Sequence, residues 1–314
     1  MSILCPGTCS ELSTDNINIL RSVGIRTVVD FLAHSPDQIA NKCSFSHTVV
    51  SAIRRALLAQ HASLVVSGSN IYHQVSQKLT ILHTGIQSID NLLSGGLLST
   101  ELTELAGASA AGKTQLCLAV AARTSLVPKH CVLYISTGAD FSSERLRELM
   151  ILSGSPQKNL SEALEQVKCI HAFDVFRLLE VLHNLPALIH NDSVFYAHLK
   201  LVIVDSIAAV IAPIIGGKQI EGHGLMMQVA RKLKEIVVEE NIAALVTNRV
   251  VQSDRNSIKP ALGASWLHVP HTRILLTNQR EDGTDHSILI RKATIIKSIR
   301  QPINLTTRFV LPGN

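Results

Sequence analysis

Eight consecutive residues constrain this chain more than any others: Gly107-Ala108-Ser109-Ala110-Ala111-Gly112-Lys113-Thr114, a Gly-x-x-x-x-Gly-Lys-Thr pattern. The glycines let the backbone curl until several N–H groups point into one concavity, and such a nest of amides holds anions. A helix starting near Lys113 adds its positive N-terminal end. At this spacing the lysine reaches the β- and γ-phosphates of a nucleotide, and Thr114 offers its hydroxyl to Mg2+. Chance produces such a match in roughly one chain of this length in a hundred at average glycine usage. The flanks favour the functional reading. Leu102–Ala106 is an apolar run of strand length just before the loop, and Gln115-Leu-Cys-Leu-Ala-Val continues as a helix just after it. The candidate ATP-binding set is therefore Gly107 to Thr114 together with Gln115, with Lys113 as the catalytic cation.

A second element fits the first. Leu201-Val-Ile-Val-Asp205-Ser206 is an apolar run that ends in a carboxylate. A strand-terminal Asp by itself equally well caps a turn. Downstream of a phosphate loop, it is where the carboxylate of a Mg2+ site belongs. Thr114 and Asp205 are the expected metal ligands.

The rest of the chain sets these elements in an α/β frame. Short apolar runs recur at Leu102–Ala106, Cys131–Ser136, Val167–His171, Leu201–Asp205, Ile242–Thr247 and Thr272–Thr277, with helical stretches between several of them. Val229, Leu233 and Ile236-Val237, for example, recur at helical spacing. Strands alternating with helices predict a mainly parallel twisted sheet with helices packed on it. Asp282-Gly283, between Ile274–Leu276 and Ile288–Ile290, predicts an antiparallel hairpin near the end. Residues 11–60 read instead as four short helices. Ser13-Thr14-Asp15, Thr27 and Ser35-Pro36-Asp37 open the first three, and Gly24 ends the first. Val28, Val29, Phe31 and Leu32 form the apolar face of the second. Val49 to Leu58 is the fourth, with Arg54 and Arg55 on its polar side. Periodicity weakens over residues 61–80, where Ser67-Gly68-Ser69-Asn70 is turn-like. The expected organisation is a helical domain over 1–60, a linker over 61–80 and an ATP-binding domain over 81–314.

Composition narrows the class. Hydrophobic residues make up 46% and charged residues 17%, which supplies a core and argues against disorder. A formal net charge of +5 is compatible with nucleic acid but also common in ordinary proteins. The cysteines at 5, 9, 43, 117, 131 and 169 lack zinc spacing and read as reduced thiols, with Cys117 and Cys131 in apolar runs. Leu201 to Ile215 is broken by Asp205 and too short to span a bilayer. No secretory signal is visible, and a soluble intracellular protein is expected.

Longer stretches carry a family resemblance. Thr84-Gly-Ile-Gln-Ser-Ile-Asp90-Asn-Leu-Leu before Gly95-Gly96-Leu, then Gly112-Lys-Thr-Gln115, Leu201–Ser206, Met226-Met-Gln-Val-Ala-Arg-Lys-Leu-Lys234 and Val246-Thr-Asn-Arg-Val250 follow one another. Pro260-Ala-Leu-Gly263-Ala-Ser-Trp266 and Thr272-Arg-Ile-Leu-Leu complete the series. In content and order they resemble the RecA-type recombinases of eukaryotes and archaea, over almost the whole chain. His171-Ala-Phe-Asp-Val-Phe, Ala56-Leu-Leu-Ala-Gln60, Pro213-Ile-Ile-Gly-Gly217 and Lys259-Pro-Ala-Leu-Gly263 are similar to the D-type paralogue branch. The resemblance implies a RecA-like phosphate-loop core, ATP and Mg2+ as cofactors, and a nuclear role in homologous-recombination repair. Other recombinase paralogues and single-stranded or branched DNA are the implied partners, with no membrane.

Three departures from the family pattern matter. The family carries a water-positioning Glu where this chain reads Tyr134-Ile-Ser-Thr-Gly138-Ala-Asp140. Glycine has no carboxylate, and Asp140 is the candidate substitute. The family's γ-phosphate-sensing Gln after Thr-Asn is Arg249 here. The family's Phe-x-x-Ala oligomerisation motif lies in the linker, and residues 61–80 contain no Phe.

The two loops that face DNA in the family map near Ala212–Gly224 and Val250–Ala264. Lys218, Arg255 and Lys259, with Arg249, are the DNA-contact candidates, and solvated loop charge is the alternative for each. Aromatic residues total only 4%, which argues against a base-stacking platform. The leading expectation is an ATP-binding assembly subunit with weak or partner-dependent hydrolysis. A DNA-dependent strand-exchange motor using Asp140, a small-molecule kinase and a protein that no longer needs nucleotide are the alternatives.

Overall fold

A computed structural model describes residues 4, 9, 11–61, 66–154, 160–191, 194–215, 220–252, 258–279 and 289–313. The chain divides into two compact units, Met1–Gln74 and Val75–Asn314.

The first unit is helical: α1 (Thr14–Ser22), α2 (Val28–Ala33), α3 (Pro36–Cys43) and α4 (His47–His61). Its starts follow from side-chain chemistry. Ser13 accepts from the Asn16 amide, Thr27 and Asp30 form a reciprocal capping box, and Ser35 with Gln38 forms another ahead of Pro36. Gly24 ends α1 at φ +88°, in the left-handed region. Leu20, Ile25, Phe31, Ile39, Ile53 and Leu57 are fully buried together. Two details differ from expectation. Val29 is exposed, because on a six-residue helix Val28 and Phe31 face the core, with Leu32 partly buried beside them. Arg54 is half-buried, donating to the carbonyls of His34 (3.0 Å) and Leu32 (3.1 Å) and so tying α4 to the end of α2.

Residues 68–78, expected as part of a linker, form α5 (Gly68–Lys78). Here the turn-like residues start a helix, since Ser67 Oγ accepts from the Asn70 amide at 3.2 Å.

The second unit continues with β1 (Ile81–Leu82), α6 (Gln87–Leu92), β2 (Leu97–Leu98), β3 (Leu102–Gly107), α7 (Lys113–Ser125), β4 (Cys131–Ser136) and α8 (Ser143–Leu152). Next come α9 (Leu160–Glu165), β5 (Val167–His171), α10 (Val175–His190), β6 (Leu199–Asp205), α11 (Ile207–Ile215) and α12 (Ile220–Glu239). The chain ends with β7 (Ala243–Gln252), β8 (Ile258–Pro260), α13 (Gly263–Leu267), β9 (Thr272–Asn278), β10 (Arg291–Lys297) and β11 (Thr306–Phe309).

The main sheet runs β11-β10-β9-β3-β7-β6-β4-β5, with β8 paired to β7. The six strands from β9 to β5 are parallel, and β10, β11 and β8 pair antiparallel. The fold is thus α/β, a mainly parallel sheet with helices. Alternation explains why its central strands read as unbroken apolar runs. Val132, Tyr134, Leu201 and Ile203 pack on the face with α7 and α8, while Leu133, Ile135, Val202 and Val204 pack on the face with α10 and α12.

The expected hairpin exists, but its second arm is displaced. Ile290 is coil and Leu289 is exposed, whereas β10 spans Arg291–Lys297 with Ala293 and Ile295 fully buried. The apolar Ile288–Ile290 run suggested an arm, yet alternation about Ala293 and Ile295 decides which residues face the core. Ile288, Asp282 and Gly283 lie outside the described residues, as does Cys5.

Candidate nucleotide site

The site is built at the carboxyl ends of the parallel strands. β3 delivers Gly107 beside β9, where a Cβ would stand 2.8 Å from the Leu276 carbonyl oxygen, so only glycine lets the strands lie this close. Ala110 at φ +60° and Gly112 at φ +94° then turn the loop back to start α7 at Lys113. A Cβ on Gly112 would also press on Arg291 Nε at 2.8 Å and Leu311 Cδ1 at 2.9 Å. Lys113 Nζ donates to the carbonyls of Gly107 (2.8 Å) and Ala108 (2.7 Å), which folds the lysine across its own loop. Burial lowers the pKa of this ammonium; the Asp205 charge opposes that shift and the Arg249 charge adds to it.

Asp205 ends β6, between β4 and β7. It is buried, and both oxygens accept hydrogen bonds: Oδ2 from the Tyr134 hydroxyl at 2.8 Å, Oδ1 from the Thr247 hydroxyl. Burial pushes the Tyr134 phenol pKa well up, with the Cys117 and Asp205 charges adding, so this hydroxyl stays a donor. Beside it Thr137 Oγ1 donates to the Ser206 carbonyl (2.8 Å) and accepts from the Ser206 amide (2.7 Å), clasping the ends of β4 and β6 together.

These elements enclose a cleft of ≈ 300 Å³. Of the residues singled out in the sequence, Ser109, Ala110, Gly112, Lys113, Thr114, Gln115, Asp140, Asp205 and Arg249 line it. Gly107 and Ala108 hold Lys113 from behind, and Ala111 is buried in the core. Thr137, Gly138, Ser206, Ala209 and Arg291 complete the wall. The donors suit a phosphorylated ligand with Mg2+. Thr114 and Asp205 supply a hydroxyl and a carboxylate, and Mg2+ ordinarily keeps water and substrate phosphates as its other ligands.

Comparison with known proteins decides the family. A Rad51 family model matches residues 75–296. The chain belongs to the Rad51 family. The model described as RAD51D, N-terminal domain, matches residues 1–60. DNA repair protein RAD51 homolog 4 of Bos taurus is 39% identical over 96% of this chain and 93% of its own length. The Mus musculus protein of that name is 38% identical over 97% and 93%. Probable DNA repair protein RAD51 homolog 4 of Dictyostelium discoideum is 30% identical over 94% and 92%.

In this Rad51-family chain the DNA-contact candidates separate. Arg249 has an exposed side chain in the candidate nucleotide cleft. Lys259 pairs with Val251 through its main chain in β8. Lys218 and Arg255 lie outside the described residues. No described helix is long and apolar enough to cross a membrane.

Sequence reasoning missed the residues behind the cleft. Glu104 on β3 is fully buried, ion-paired to Arg273 and accepting from Asn248 Nδ2 at 2.6 Å. Arg273 also reaches the Trp266 carbonyl at 3.3 Å. Charged or hydroxyl residues inside apolar runs, as in Leu102-Thr-Glu104-Leu and Val132-Leu-Tyr134-Ile, were the available signal. A strand buried on both faces holds such a residue only when it is partnered.

Proposed function

We infer that this chain is an ATP-binding subunit of a homologous-recombination repair assembly containing other Rad51-family proteins, and that it hydrolyses ATP slowly by itself. One observation carries the reading. Lys113, Thr114 and Asp205 share a single cleft, while the wall position nearest Asp140 is Gly138, which has no side chain to position water. Binding machinery is thus retained and a base is missing. In this reading the loop amides and Lys113 hold the phosphates, Thr114 and Asp205 hold Mg2+, and Mg2+ supplies charge neutralisation. The names of the relatives support the repair role.

A second reading, a DNA-stimulated ATPase motor, is favoured by Asp140. Its carboxylate lines the cleft, and its Oδ2 lies 2.8 Å from where a Gly138 Cβ would stand. Turnover and ATP binding of the purified full chain, with and without single-stranded DNA, discriminate the two. Gly138 does not occupy the left-handed region, and the atom a side chain there would meet is the movable end of Asp140. Gly138→Glu is therefore accommodated and should raise turnover about a hundredfold, the low end of general-base effects. Brisk DNA-stimulated turnover in the wild type, lost in Asp140→Asn, would establish the motor instead.

A further inference from the structure

A series of contacts runs from the cleft to the tail of the chain. Gln115 lines the cleft from the first turn of α7. Its side-chain oxygen accepts from Arg145 Nε at 2.9 Å. A guanidinium only donates, so Arg145 fixes the Gln115 amide with its oxygen turned towards α8 and its NH2 group left for another partner. Arg145 is half-buried on α8. Its Nη1 donates to Glu148 Oε2 at 2.9 Å and its Nη2 to the Pro312 carbonyl at 2.6 Å. One side chain thus joins the phosphate-loop helix, α8 and the tail that follows β11.

The tail makes a second contact with the loop. Leu311 is buried in the same core cluster as Leu116 and Leu118 of α7. A Cβ on Gly112 would stand 2.9 Å from Leu311 Cδ1, so the left-handed residue that opens α7 lies directly against the tail. Gly313 completes the docking. Its φ is +71°, and a Cβ there would lie 3.0 Å from both Arg145 Nη1 and Leu152 Cδ1. Residues 311–313 belong to no strand or helix. A segment held by a few contacts rather than by a ladder opens locally at small cost.

We propose that residues 311–313 are a strap on the nucleotide cleft: docked on Gly112 and Arg145 they set the loop and Gln115 for a nucleotide, and a bound nucleotide in turn holds them docked. The inference rests on the nucleotide-binding reading above and adds a regulatory element to it. Coupling between two sites is reciprocal. Whatever lifts the strap therefore weakens nucleotide binding, by at most the factor with which nucleotide holds the strap down.

The test places a thiol under the strap. In the full chain carrying Leu311→Cys, alkylation at position 311 is followed by peptide mass spectrometry, with and without saturating Mg2+-ATP. Titration calorimetry gives the ATP affinity of wild type, Leu311→Cys, Gly313→Val and Arg145→Met, with melting curves confirming that each folds. ATP should slow alkylation about five- to a hundredfold, the ordinary span of coupling between sites. A merely structural tail would show no such dependence on ATP. Adding Lys113→Ala should abolish the protection. Gly313→Val forces a β-branched residue into the left-handed region at an exposed position. It should speed alkylation and weaken ATP within the same factor, and Arg145→Met should weaken ATP at least as much. Alkylation that is unchanged while ATP is bound overturns the proposal. So does protection that survives Lys113→Ala, or a Gly313→Val chain whose strap is released yet binds ATP like the wild type. If the wild type binds no ATP, the nucleotide reading fails and the strap with it. If ATP binds and the strap is unprotected, that reading stands and only the strap falls.

Discussion

Two buried carboxylates flank β7, and their surroundings differ in one respect. Glu104 on β3 faces Arg273 and the Asn248 amide. Asp205 on β6 faces two hydroxyls, from Tyr134 and Thr247. Thr247 and Asn248 are consecutive, and alternation along the strand sends one to each side. On the Asn248 side the negative charge meets an internal cation and is sealed. On the Thr247 side it is oriented by neutral donors and left open to whatever cation enters the cleft. Hydroxyl partners orient a carboxylate without cancelling it, whereas a guanidinium cancels it. The first arrangement leaves its charge available to a cation in the cleft, and the second closes its charge off inside the protein, where losing either partner is costly.

This contrast can be broken by mutation. Arg273→Ala should be the most damaging change, because it strands Glu104 as an uncompensated buried charge, at a cost of about 3–5 kcal/mol in urea unfolding. A loss below about 1 kcal/mol would mean that water or another group reaches Glu104, and that this side is not sealed. Asp205→Asn should do the reverse. We expect a stability change of only about 1 kcal/mol, with Mg2+-ATP affinity falling about tenfold or more in titration calorimetry. Equal effects on folding and binding would erase the distinction. Tyr134→Phe sharpens it further, removing one donor to Asp205 for about 1 kcal/mol of stability while leaving the carboxylate in place.

The smallest effect tests a neutral junction on the Glu104 side. His271 Nδ1 accepts from the Leu102 amide at 2.8 Å, and burial, then Lys234 and Lys297, lower its pKa from 6.5. The unfolded chain therefore binds this proton more readily. The stability contributed by neutral His271 is present above about pH 6.5 and is lost as pH falls towards the lowered folded value. Denaturation midpoints should decline across that window in the wild type and decline less in His271→Asn, whose side-chain oxygen accepts without titrating.

Legibility followed the range of the forces involved. The caps at Ser13, Thr27 and Ser35 were readable, because each bonds an amide three residues on. The strands were readable because a strand buried on both faces must be apolar along its length. Ser67 was misread as a turn, since capping residues and turn residues are of the same types. The hairpin arm was misplaced because composition does not choose between Ile288–Ile290 and the alternating residues after it. Arg249 was named both as a DNA-contact candidate and as the residue at the family's γ-phosphate-sensing position, and only the structure places its side chain in the wall of the cleft.

The sequence alone determined how the Gly107–Thr114 loop turns, since that chemistry is local: glycines where a Cβ would collide, then a lysine, a hydroxyl and a helix start. It also determined the strand order in the chain and the acid at the end of β6. Tertiary structure alone decided what each charge does. Glu104 and Arg273 are 169 residues apart, and Tyr134 and Asp205 are 71 apart. Electrostatic roles depend on distance and burial, and both are set by how strands far apart in the chain come to lie side by side.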